Sequence, residues 1–276
     1  MVSAQKMGIM NFGRTNLIDL LLLLALAGCG QNGATRTSAG GPIWRPAIHV
    51  SFQWQLSDLP VDRSVDAMVY DIDLFENDAS VVAALHAQGR HVICYIDVGS
   101  WERGRPDASQ FPASVIGKVY SGFPDENWLD IRQLSILAPI MEARMDQCKA
   151  KGFDAIEPDN INGYENDTGF PLTAQDQLNY NRFLAEQAHM RGLSIGLKND
   201  WDQVGDLLAS FDWALSEECF YQQECAALTP FIQAGKAVFD VEYQLDPAQF
   251  CPQARAMQFS ALKKHLSLDA YRVACR

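Results

Sequence analysis

Basic residues are scarce in this chain: 22 lysines and arginines stand against 34 aspartates and glutamates, a formal charge of −12. That balance speaks against nucleic acid as a partner, since phosphate backbones are held by clustered Lys and Arg. Histidine is scarcer still. His49, His86, His91, His189 and His265 are scattered along 276 residues, and no Gly-x-Ser-x-Gly elbow accompanies them, so Ser-His-Asp catalysis finds no support. The chain lacks a Cys-x-x-Cys pair and histidines at ligand spacing, which argues against zinc. A phosphate-cradling loop is also missing, because Gly117-Lys118 runs into Val119 where Ser or Thr is required.

A membrane-spanning run of ordinary length is absent as well. The apolar stretch Leu17–Gly28 follows Lys6 and Arg14, and it is too short and too early for a comfortable span. Leu26-Ala27-Gly28-Cys29 resembles the lipobox of bacterial lipoproteins. That resemblance implies cleavage before Cys29, lipidation of its thiol and anchoring to a membrane. Gly30 is not the aspartate associated with inner-membrane retention, so the outer membrane is expected in a cell with two. Residues 1–28 thus read as a signal peptide and 29–42 as a flexible tether. Residues 43–276 read as one domain. Removing 1–28 takes away Lys6, Arg14 and Asp19 and leaves a charge of −13. Six cysteines remain, an even number that suggests disulfides in an exported protein. They permit fifteen pairings; Cys219–Cys225 is favoured as a local staple, with Cys94–Cys148 and Cys251–Cys275 completing the set.

What the sequence does contain is a repeated unit. AQGRHVICYID, AKGFDAIEPD, MRGLSIGLKND and QAGKAVFDVEY each end a helical pattern at glycine and begin a strand at once. Gly89, Gly152, Gly192 and Gly235 suit the left-handed position after a helix. Helical patterns precede them at 78–88, 132–150, 173–190 and 223–233, and Thr173 with Asp176 forms a capping-box signature. Strands are expected at 49–55, 67–73, 91–98, 153–159, 193–199, 211–217, 236–242 and 268–274. Eight strands alternating with helices predict a (β/α)₈ TIM barrel, an α/β fold of one domain, with an insertion after strand 3 over residues 99–132.

Active sites of such barrels lie at the carboxyl ends of the strands. Those ends carry Asp71 and Asp73, Asp97, Glu157 and Asp159, Lys198 and Asn199, Glu217 and Glu218, and Glu242 and Tyr243. Glu157 and Asp159 share a strand face, and two buried acids side by side raise at least one pKa. Carboxylates in excess beside one lysine and several aromatics suit glycoside hydrolysis, which needs one protonated and one ionised acid across the scissile bond. Strands 4 and 6 can face each other across the mouth, opposing Glu157 or Asp159 to Glu217 or Glu218. Trp101, Phe123 and Trp128 in the insertion offer faces on which sugars stack. Two other readings use the same rim. One is a non-catalytic lipoprotein that holds a cationic glycan. The other is a metal-dependent hydrolase with Asp71, Asp73, Asp97 and Glu157 around a divalent ion.

The motifs WQLSD, VYDIDLF, VICYIDVGSWE, WLDIR, GFDAIEPDNINGY, TGFPLT, GLKND, SEECF and VFDVEY occur in the order seen in glycoside hydrolase family 114. The chain resembles that family over about residues 50–245. The resemblance implies a secreted (β/α)₈ endo-α-1,4-polygalactosaminidase that cleaves galactosamine-containing exopolysaccharide without a cofactor or metal. It further implies that Asp159 and Glu217 are the catalytic pair, with Glu218 standing where glutamine is common and leaving the choice between Glu217 and Glu218 open. Asp73, Asp97, Lys198 and Asn199 match motif positions around the pocket and are expected to bind substrate. Glu157, Glu218, Trp101, Glu242 and Tyr243 are expected beside them. The working expectation is a monomer whose partners are a cationic polysaccharide and, through Cys29, a membrane.

Overall fold

The structure is a computed structural model that describes residues 42–275. The signal peptide, Cys29 and the tether up to residue 41 lie outside the described residues. Twelve strands follow in order: β1 (Phe52–Gln55), β2 (Val69–Asp73), β3 (His91–Asp97), β4 (Ser100–Glu102), β5 (Ile116–Tyr120), β6 (Phe123–Leu129), β7 (Ala155–Asp159), β8 (Ser194–Lys198), β9 (Trp213–Glu217), β10 (Val238–Glu242), β11 (Ser260–Lys263) and β12 (Val273–Ala274). The helices are α1 (Ala79–His86), α2 (Leu134–Lys151), α3 (Ala174–Met190), α4 (Val204–Leu207), α5 (Cys219–Gln222), α6 (Thr229–Gln233) and α7 (Pro247–Ala256).

Eight strands, β1-β2-β3-β7-β8-β9-β10-β11, pair in parallel in that order. They curl into a TIM barrel. Leu56 and Ser57, just past β1, donate backbone hydrogen bonds to Leu268 O beyond β11. Across the interior the rings of Phe52 (β1) and Phe239 (β10) lie 4.6 Å apart. Because side chains alternate along a strand, every second residue points inward. Phe52, Trp54, Ile93, Ala155, Trp213, Leu215 and Phe239 fill the interior as one cluster. Gly196 is glycine for a packing reason: a Cβ there would meet the Trp213 ring at 2.4 Å. The outward-facing strand residues form a second, larger core with the helices.

Seven strands fall inside the expected segments. The eighth does not: the last parallel strand is β11, and residues 273–274 of the expected strand form β12, which runs antiparallel to it. The alternation of LDAYRVA reads as a strand but runs the wrong way for a barrel stave. Gly89, Gly152, Gly192 and Gly235 all have positive φ, as the helix-to-strand turns require. Residues 99–132 are no open loop. They contain an antiparallel sheet of order β4-β6-β5 that stands over the barrel mouth. All three disulfides pair as expected, Cys94–Cys148, Cys219–Cys225 and Cys251–Cys275, which assigns the domain to an oxidising, exported compartment. Among the described residues, no helix is long and apolar enough to cross a membrane.

Candidate active site

The barrel mouth is organised around one buried cation. Lys198, at the end of β8, is 1% exposed, and its Nζ lies 2.7 Å from Asp159 Oδ1, 3.1 Å from Glu157 Oε1 and 3.2 Å from Glu217 Oε2. Of these three contacts of Lys198 the one to Asp159 is a hydrogen bond, and the other two are ion pairs. Its methylene-borne charge also sits 4.7 Å from the centre of the Trp54 ring, a cation–π contact. Burial works against the charge, but Asp159, Glu217 and Glu157 outweigh it, and the pKa of Lys198 rises well above its ordinary value.

Asp159 and Glu217 are the two carboxylates of this group that reach the cleft. Burial alone would raise the pKa of Asp159, yet Lys198, the Tyr95 hydroxyl (2.9 Å to Oδ2) and the Asn160 N–H (2.8 Å to Oδ1) hold it below the usual aspartate value. Asp159 is therefore an ionised carboxylate at neutral pH. Glu217 is fixed from two sides. Asn199 Nδ2 donates to Oε2 at 2.9 Å, and the Tyr243 hydroxyl donates to Oε1 at 2.5 Å. The Asn199 amide oxygen also accepts the Glu217 N–H at 2.8 Å, so β8 and β9 lock each other at the rim. Since one nitrogen lies 2.7 Å from Asp159 Oδ1 and 3.2 Å from Glu217 Oε2, these oxygens are at most about 5.9 Å apart. Retaining glycosidases hold their carboxyl groups roughly 5–5.5 Å apart.

Around this centre lies a cleft of about 820 Å³. Asp58, Asp73, Glu76, Glu102, Asp125 and Glu126 face it. Arg105 from the insertion crosses to Asp73 (2.6 Å) and Glu102 (2.7 Å) and ties the small sheet to β2. Glu102 and Glu126 are cross-strand neighbours on β4 and β6. Burial pushes Glu126 up to about 7 despite the hydrogen bond from Ser100. The hairpin tip contributes Tyr120 and Phe123, rings stacked at 5.0 Å, and Phe123 is 43% exposed.

Five of the expected site residues line the cleft: Asp73, Asp159, Lys198, Asn199 and Glu217. Six stand behind or beside that lining, where they support it. Glu157 is fully buried beneath Lys198. Asp97 is 1% exposed, accepts from Ser100 and from Asn160 Nδ2 at 2.8 Å, and so orients the residue after Asp159. Trp101 packs on the outer core and donates to Ala108 O at 3.0 Å. Tyr120 and Phe123, not Trp101, are the insertion aromatics that line the cleft. Glu218 begins α5 with φ of 59° and accepts the Gln244 N–H at 3.1 Å. Glu242 is buried and accepts the Phe220 N–H at 2.8 Å, while Tyr243 serves Glu217. The four acids weighed as a metal set do not converge among the described residues; Asp73, Asp97 and Glu157 hold Arg105, Asn160 and Lys198 respectively.

Sequence reading missed Tyr95, Trp54 and Arg144. Tyr95 sits two residues before Asp97, on the same inward face, a signal the alternation carries. Arg144 occupies a core position of α2 among Leu137, Ile140, Met141, Met145 and Cys148, and an arginine on an apolar helix face asks for a partner. It forks onto Asp107 at 2.7 and 2.9 Å and donates to Asp97 O.

A parallel barrel with a carboxylate pair across its mouth defines a TIM-barrel glycosidase. A family model agrees with that class over residues 33–276, and the chain belongs to glycoside hydrolase family GH114. Among solved structures, Ega3 from Aspergillus fumigatus in complex with galactosamine is 37% identical, with a TM-score of 0.81, covering 86% of this chain and 99% of that one. The glycoside hydrolase domain of PelA from Pseudomonas aeruginosa is 13% identical at a TM-score of 0.64, covering 81% and 98%. The α-galactosidase of Thermus thermophilus in complex with stachyose is 14% identical at 0.53, covering 83% and 64%. The last two likenesses are of fold alone. No curated protein matches.

Proposed function

We propose that this glycosidase cleaves α-1,4-linked galactosamine-containing polysaccharide internally and with retention, using Asp159 and Glu217. The observation that carries the reading is the shared Lys198: it keeps Asp159 ionised while holding Glu217 at the facing wall. Asp159 attacks the anomeric carbon, and the bond to the leaving oxygen breaks as Glu217, which takes up a proton in the substrate complex, gives that oxygen its proton. A water then attacks the same carbon from the vacated side; Glu217 takes the water's proton and the bond to Asp159 breaks, so both acids return to their starting states. The galactosamine bound to Ega3 and the acidic cleft both favour a cationic amino sugar. One chain supplies the whole site, which is compatible with a monomer.

The test is product analysis on α-1,4-polygalactosamine, comparing the wild type with Asp159→Asn and Glu217→Gln. Each substitution keeps volume but removes a nucleophile or proton donor, so turnover falls by roughly 10²–10⁴-fold, the range of a lost acid–base group. If Glu218→Gln is dead and Glu217→Gln active, the pair is misassigned; activity in all three variants rejects the site. A carbohydrate-binding lipoprotein would release no oligosaccharide at all. A metal-dependent hydrolase would lose turnover in EDTA, to which the two-carboxylate mechanism is indifferent.

We also infer that Cys29 carries a lipid anchor that holds the enzyme at a membrane, the outer one in a two-membrane cell. Cys29→Ser then moves the protein out of the membrane fraction and removes the lipid mass. Unchanged fractionation and mass would reject anchoring.

A further inference from the structure

Beneath the catalytic pair lies a group that the mechanism above does not use. Asp71, on the inward face of β2, is fully buried, and among the described residues neither of its oxygens meets a donor from the backbone or from a neutral or cationic side chain. The carboxyl group it faces is that of Glu157: Asp71 lies level with Ile93 on β3 and Ala155 on β7, and Glu157 is the next inward position along β7, close enough for a hydrogen bond between the two acids. Glu157 is fully buried too. Its one cationic partner is Lys198, at 3.1 Å, whose other contacts are to Asp159 and Glu217.

Two ionised carboxylates cannot hydrogen-bond, since both are acceptors only. Away from water their repulsion would be severe. A single proton between them removes both problems. It supplies the missing donor and leaves the pair with one negative charge, one fewer for Lys198 to offset beside the ionised Asp159. With no proton, the pair would carry two charges and draw the ammonium down, away from Asp159 and Glu217. With two protons, Glu157 would no longer hold the ammonium from below. Only the singly protonated pair leaves Lys198 centred.

We propose that Asp71 is a positioning residue that shares one proton with Glu157 and so fixes Glu157 as a singly charged seat for Lys198. Burial first, and the carboxylate of Glu157 second, push Asp71 well above the aspartate range, in keeping with the proton resting on it. The proposal rests on the reading of Asp159 and Glu217 as the reacting groups for its effect on turnover, but not for the shared proton itself.

Three variants of the full chain test it. Asp71→Asn puts a permanent N–H where the proton is shared, Asp71→Val removes the donor, and Glu157→Gln replaces the charged acceptor by a neutral amide carbonyl. Infrared difference spectra at neutral pH are expected to contain a carbonyl band of a protonated carboxylic acid in the wild type that Asp71→Asn lacks and that Glu157→Gln shifts, because its hydrogen-bond acceptor changes from a carboxylate to an amide. Turnover on polygalactosamine is expected to be about tenfold higher in Asp71→Asn than in Asp71→Val, the scale of one buried acceptor left without a donor. A wild type whose spectrum matches that of Asp71→Asn in this region has no shared proton, and the proposal fails even if the enzyme is active. Asp71→Asn as inactive as Asp71→Val would mean that the ionised carboxylate is what matters. Asp71→Val as active as the wild type would leave Asp71 without a role in positioning. Should Asp71→Val not fold, the infrared comparison of wild type with Asp71→Asn decides alone. Should the wild type not turn over polygalactosamine, the infrared arm still stands and the failure belongs to the substrate reading.

Discussion

Glu242 illustrates how burial alone can turn an acid into a pH-dependent stability element. It ends β10 fully buried, with Phe220 N–H bonded to Oε1 and, among the described residues, no donor for Oε2. Burial pushes its pKa up to about 7 from 4.5, against the pull of the Phe220 and Tyr221 N–H groups. The folded chain therefore binds this proton more tightly than the unfolded one. Its contribution is most favourable below pH 4.5 and is lost as pH rises through 7. Glu242→Gln cannot ionise and escapes that loss. Relative to the wild type, the variant is expected to be more stable at pH 8 than at pH 5, by up to about 3 kcal/mol. Urea midpoints of both proteins at the two pH values check this. An offset that does not change with pH would mean that Glu242 titrates as an ordinary glutamate.

At the scale of elements, α3 connects a local signal to the position of the site. Thr173 and Asp176 form the capping box that the spacing predicts: Thr173 Oγ1 accepts the Asp176 N–H at 3.2 Å, and Asp176 Oδ2 accepts the Thr173 N–H at 2.9 Å. The helix so started presents Tyr180, whose hydroxyl donates to Val98 O at 2.7 Å, and Asn181, which donates to Ile161 O and Asp200. Those bonds fasten the loops after β3, β7 and β8. Thr173→Ala is expected to cost about 1 kcal/mol of stability while leaving turnover intact, because Thr173 touches no site residue. A denaturant midpoint that does not fall would reject the cap's contribution. Caps, positive-φ glycines and strand alternation are local, which is why seven staves and the helix ends were legible in the sequence. The eighth stave was not, because β11 and β12 differ in direction, and direction is a tertiary property. Strand-end position likewise pointed to Asp159, Lys198 and Glu217. It could not tell that Trp101 faces the core, that Tyr243 serves Glu217, or that Arg144 meets an aspartate 37 positions away. Those pairings depend on how the insertion folds back over the barrel.

The whole molecule adds a long-range term to these contacts. A chain of charge −12 whose cleft is lined by Asp58, Glu76, Asp125 and Glu126 attracts a polycation before any sugar is seated. Arg103 and Arg105 at the same cleft reduce the negative field without reversing it. Opposed charges of this kind chiefly raise the association rate, and they are screened over about 8–10 Å near physiological ionic strength. For deacetylated polygalactosamine, kcat/KM is therefore expected to fall as salt rises, with most of the loss in KM. Full N-acetylation removes the positive charges from the polymer, so it should lower kcat/KM at low salt and abolish the salt dependence. The measurement is kcat/KM for both polymers at low and high salt. A preference for the acetylated polymer with no salt dependence for either would mean that the acidity serves solubility alone and that the substrate is a neutral glycan.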